Sequence, residues 1–76
     1  MQQQLQKVFR IVFQDDTLVI HSTTSSNDIK MWDSLIHLEL IAAVESEFSI
    51  VFSFNEVMRL NNVGDMLNLI EEKTKQ

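Results

Sequence analysis

The chain has no cysteine, no proline and a single glycine. Lacking cysteine, it can form no disulfide, no zinc–thiolate site and no thiol nucleophile of its own. Any reactive thiol has to arrive on something attached to it. Basic residues are also few, six against eleven acidic ones, for a net charge of −5. That balance argues against nucleic acid, whose binding depends on Lys and Arg neutralising phosphates, and against anionic membrane surfaces. It favours encounter with partners that carry basic patches, although solubility alone also accounts for it. No apolar run approaches the length of a membrane span. The start, Met1-Gln2-Gln3-Gln4, is polar and has no signal-peptide pattern, so a cytoplasmic location is expected. There are no internal repeats, glycine-rich phosphate loops or metal-ligand clusters. The two histidines lie sixteen residues apart without paired acidic ligands, so no metal is expected.

What is there fits one small domain spanning the 76 residues, of modest stability. From Gln2 to Phe13, apolar residues fall at Leu5, Val8, Phe9, Val12 and Phe13, with Ile11 off the stripe. Steps of three and four predict an amphipathic helix. Thr17 to Lys30 is a long connection. Its Leu18-Val19-Ile20 is β-prone but has no partner strand, and is read as an extended plug at one end of a bundle. His21 to Asp28 is nearly all Ser, Thr, Asn and Asp, a composition that buries no surface and predicts a mobile loop. Ile29, Met31 and Trp32, the only tryptophan, return the chain to the core.

The central feature is Trp32-Asp33-Ser34-Leu35 and the run that follows it to Phe48. Asp33 is a good N-cap, which puts Ser34 at the first helical position. The run beyond is free of glycine and rich in Leu, Ile, Ala and Glu, as helices favour. A hydroxyl at that position lies where unpaired N–H groups and the positive end of the helix dipole converge, a place that favours a phosphate. On a helical wheel His37, Leu40, Ile41, Val44 and Phe48 form the core face, with Leu38 at its edge. Leu35, Glu39, Ala42 and Ser46 lie opposite, so an exposed leucine and a carboxylate flank the candidate serine. His37 as a catalytic base would need a nucleophile and an orienting acid. Ser34 is three residues away, but no glycine-rich elbow or oxyanion pattern accompanies it, and a packed or half-exposed histidine is the reading.

Ser49 to Asn61 begins extended. Ser53 then caps a short helix from Phe54 to Leu60, with Glu56 completing a capping box. Asn62 caps a last helix whose stripe is Val63, Met66, Leu67 and Ile70, with Asp65 as its imperfect box partner and Gly64 in its first turn. Glu71 to Gln76 reads as a charged, fraying end.

Asp33-Ser34-Leu35, then Glu39-Leu40-Ile41, Ala43-Val44-Glu45 and Glu47-Phe48, resembles the second helix of acyl carrier proteins. The resemblance extends from Asp28 to about Ile70 and fades in the first half. It implies an all-α four-helix bundle with three longer helices, a short third helix and a long loop between helices one and two. It also implies that Ser34 carries 4′-phosphopantetheine through a phosphodiester, assisted by Asp33, and that the protein bears acyl groups as thioesters without catalysing anything itself. Partners would be a phosphopantetheinyl transferase and acyl-activating, acyl-transfer or condensing enzymes, which read Leu35, Glu39, Ala42 and Glu45 on a monomeric carrier. Leu40, Val57 and Met58 would border an acyl pocket. Departures are Trp32, where many carriers have a small residue, Ala42, where methionine is often found, and Ser46, where glutamate is common. Alternatives are an aminoacyl or peptidyl carrier, a non-covalent acidic interaction module, and a serine hydrolase.

Overall fold

The starts of the helices follow local side-chain chemistry. In the computed structural model, which describes residues 2–74, these are α1 (Gln2–Phe13), α2 (Ser34–Phe48), α3 (Phe54–Arg59) and α4 (Val63–Thr74). Asp33 caps α2 from an extended backbone, its carboxylate accepting from the Ile36 N–H at 2.9 Å. Ser53 and Glu56 form the expected reciprocal box at α3, at 2.8 and 3.2 Å. At α4 the Asn62 side chain accepts from the Asp65 N–H at 2.8 Å. The Asp65 carboxylate reaches the Asn61 N–H, one residue outside a regular box, at 3.2 Å. Because glycine is scarce, α1 and α2 stop on Gln14 and Ser49 in the left-handed region, at φ 53° and 56°. Such a conformation costs a non-glycine residue about 1–2 kcal/mol. It lets the Asp15 and Ile50 N–H groups bond back to the carbonyls of Arg10 and Glu45.

The apolar stripes close into one buried cluster. Leu5 and Phe9 of α1, Leu40 and Val44 of α2, and Val63, Met66 and Ile70 of α4 are fully enclosed. Burying each such side chain stabilises the fold by about 1.5–3 kcal/mol. Trp32 anchors the loop as expected, lying edge-on to Phe9 and Phe13 with ring centroids 5.4 and 6.0 Å apart. Leu38, expected at the edge of the core face, is instead mostly exposed. α3 buries no residue fully; Val57 and Leu60 pack against the cluster only in part.

The long loop is tied down more than its composition suggests. Of the expected plug Ile20 is buried and Leu18 partly so, while Val19 is exposed; the Ile20 N–H donates to the Gln6 side chain at 3.0 Å, and Arg10 holds the Leu18 carbonyl at 2.7 Å. The expectation that residues 21–28 bury no surface is corrected. Thr24 is buried, and its hydroxyl accepts from the His21 N–H at 2.8 Å. The carbonyls of Thr24 and Ser22 each accept at 2.8 Å from Val63 and Gly64, the first two amides of α4. The loop therefore caps α4 with its own backbone, satisfying N–H groups that have no partner inside a helix. Gly64 permits this approach, since a Cβ there would lie 2.9 Å from the Ser22 carbonyl oxygen. The carboxyl end also differs from expectation. α4 continues to Thr74, and Lys73 pairs with Glu56 at 2.9 Å while lying 5.8 Å above the Phe52 ring. Residues 75 and 76 of the expected fraying end lie outside the described residues.

Candidate functional site

Ser34 begins α2 and is exposed to solvent. Asp33 takes the third amide of the helix with its carboxylate and the fourth, that of His37, with its carbonyl at 2.8 Å. Among the described residues the Ser34 and Leu35 amides have no partner, and neither does the Ser34 hydroxyl. Two free donors and the dipole thus converge beside an accessible oxygen. A dianionic or monoanionic phosphate there gains about 0.3–1 kcal/mol from the helix terminus alone.

The hydroxyl borders a cleft of about 680 Å³ between the start of α2 and α3. Trp32, Asp33, Ser34, His37 and Leu38 form one wall; Phe54, Val57, Met58, Leu60 and Asn61 form the other, with Ser26 at the loop end. The walls are largely apolar. Leu38, Phe54 and Met58 remain mostly exposed around the opening.

His37 is half-buried in this cleft, and both of its ring nitrogens point away from catalysis. Nδ1 accepts from the Trp32 indole N–H at 3.0 Å, and Nε2 lies 3.5 Å from the Val57 carbonyl oxygen. An indole nitrogen only donates, so Nδ1 carries no proton and the neutral ring bears it on Nε2. The ring therefore stands between the loop and α3, with Trp32 and Val57 rather than Ser34 as its partners.

No family model matches the chain. The solution NMR structure of the holo acyl carrier protein from Geobacter metallireducens is similar to it, with a TM-score of 0.86 and 45% sequence identity over 91% of this chain and 79% of that one. The chain belongs to the acyl carrier protein family. The expected all-α, four-helix architecture with a short third helix and a long first connection is that of the family.

The exposed stripe of this acyl carrier protein is present on α2: Leu35 is 68% exposed, and Glu39, Ala42 and Ser46 are exposed as well. Glu45, also expected to contact partners, is less accessible than these. It is half-buried, and its carboxylate accepts from the Phe52 N–H at 2.8 Å, tying the α2–α3 connection to α2. Val57 and Met58 line the cleft as expected. Leu40 does not; it is fully enclosed in the core cluster of the carrier. Phe54, Leu38 and Leu60 line the cleft without having been singled out. Phe54 had a legible signal, since it shares a helix face with Val57 and Met58 at steps of three and four.

Proposed function

We propose that this acyl carrier protein bears its cargo on a 4′-phosphopantetheine arm joined through a phosphodiester to the Ser34 hydroxyl. The observation that carries the reading is an exposed, unbonded hydroxyl at the first position of α2, beside two free amides and an open apolar cleft. These residues fit the group: the Ser34 and Leu35 amides can receive the phosphate, and the cleft can receive apolar matter attached to it. When bound, the arm supplies a terminal thiol that holds acyl groups as thioesters, chemistry that a cysteine-free chain lacks. Asp33 fixes the helix start and so the direction of the hydroxyl. Leu38, Val57 and Met58 offer an apolar shelter, which favours acyl over aminoacyl cargo.

On this reading the domain positions and presents, and enzymes elsewhere do the chemistry. Leu35, Glu39 and Ala42 form the surface that a phosphopantetheinyl transferase and acyl-activating, acyl-transfer or condensing enzymes dock on, with Glu45 at its edge. The carrier acts as a monomer in the cytoplasm. Incubation with coenzyme A and a phosphopantetheinyl transferase, followed by intact mass, is the test. A gain of one phosphopantetheinyl group that disappears in Ser34→Ala is expected; no gain with several transferases would overturn the assignment in favour of a non-covalent interaction module. Glu39→Lys should slow the same modification at low salt while leaving the denaturation midpoint unchanged, because the side chain is exposed.

A further inference from the structure

The same cleft contains a group that the carrier role does not require. His37 bridges three segments: Trp32 of the loop through Nδ1, α2 through its own backbone, and α3 through the Val57 carbonyl. Its ring also stacks on the indole, with centroids 6.0 Å apart and planes 25° from parallel. We propose that His37 is a proton-sensitive positioning residue, which holds α3 against α2 when neutral and releases it, widening the cleft, when protonated.

The argument rests on donor and acceptor roles. The indole N–H cannot accept, so the bond at 3.0 Å exists only while Nδ1 has a free lone pair. Protonation places two N–H donors head to head. Trp32 cannot turn away, because Phe9 and Phe13 pack its ring edge-on and it is buried. The imidazole therefore moves, and Nε2 leaves the Val57 carbonyl with it.

α3 is the element able to respond. It has no buried residue, and its other attachments are the Lys73–Glu56 ion pair and the partial packing of Val57 and Leu60. Asp33 is the other titratable residue of the cleft, and its carboxylate is bonded to the Ile36 N–H. In the loop, Asp28 is bonded to Ser25, and Lys30 is exposed. On α3, Glu56 is paired with Lys73 of α4, and Arg59 lines a recess apart from the cleft. α1 meets this region through Phe9 and Phe13, which are uncharged. Among the described residues no carboxylate is bonded to the ring.

Trp32 is the only tryptophan, so the intrinsic emission of the full-length protein reads this contact directly. The inference does not depend on modification of Ser34, and the unmodified protein serves for the test. As the pH is lowered from neutral and the imidazole takes up its proton, Trp32 emission should change in one sigmoidal step. The amide resonances of Val57 and Met58 should shift in the same step. His37→Gln should remove both changes, since a carboxamide can accept from the indole and donate to the carbonyl without titrating. His21→Gln should leave both intact. Flat emission in the unsubstituted protein, or the same step in His37→Gln, would overturn the proposal. So would ring nitrogen shifts at pH 8 that put the proton of His37 on Nδ1, a reading that needs no variant.

Discussion

Leu40 and Val44 of α2 sit in one buried cluster with residues of α1 and α4, whereas Ser34 and Leu38, earlier on the same helix, border an open cleft. The far wall of that cleft, α3, encloses none of its side chains. One helix thus joins a region held by complete burial to a region held by a few bonds at its rim. Local opening is cheapest where few apolar contacts must be broken. The carrier can therefore adjust the walls beside Ser34 without disturbing the packing that keeps α2, and with it the hydroxyl, in place.

The sharpest way to break this comparison is to truncate a phenylalanine on each side. Phe9 is fully enclosed; Phe54 is 78% exposed at the mouth of the cleft. Phe9→Ala should cost about 3–5 kcal/mol, which approaches the whole stability available to a domain of this size. Phe54→Ala should stay within about 0.5 kcal/mol, as surface changes do. Urea denaturation of both variants decides it, and similar losses would mean that α3 is as firmly held as the core.

The second prediction concerns the loop that belongs, against expectation, to the firm region. In Gly64→Ala the new methyl meets the backbone oxygen of Ser22 at 2.9 Å. Either the loop withdraws from the first turn of α4 or the helix start is distorted. Alanine is the better helix former by up to about 1 kcal/mol, so propensity alone predicts a gain. A net loss of about 1–2 kcal/mol is expected instead, from overpacking against backbone that cannot rotate away. A stabilised Gly64→Ala would show that the loop is only loosely laid on α4.

These contrasts also mark what could be read from the chain alone. The caps at Asp33 and Ser53 were legible because each bond joins residues three apart, within reach of a local pattern. The stripe Leu5, Val8, Phe9 and Phe13 was legible because a helix period repeats along the chain. Ser34 needed both the cap and the family resemblance. What escaped depended on partners distant in sequence. Thr24 and Ser22 look like free polar loop residues until α4 presents its unpaired amides. Glu45 looks like a free charge until the chain after α2 turns back and offers the Phe52 amide. Leu38, placed by the wheel at the edge of the core face, lies instead at the cleft that α3 borders, and no wheel drawn on α2 alone contains α3.

The smallest expected effect sharpens the account of what holds α3. The Ser53 N–H bonded to Glu56, and then the Lys73 ammonium, hold the Glu56 carboxyl below its ordinary value. A group whose folded value is depressed contributes stability above its unfolded value, about 4.3 for glutamate, and loses it as pH falls through the folded one. Glu56→Gln keeps a side chain that can complete the capping box and removes the carboxylate's charge, and with it the ion pair to Lys73 and the charge assistance to the Ser53 bond. At neutral pH the variant should show a slight shift of the α3 amide resonances and little change in overall stability, because exposed pairs contribute weakly. The difference from the unsubstituted protein should vanish below the depressed Glu56 value and shrink with added salt. A difference that persists in strong acid would assign the effect to the capping geometry rather than to Lys73, and would leave His37 and the partial packing of Val57 and Leu60 as the attachments of α3 to the rest of the bundle.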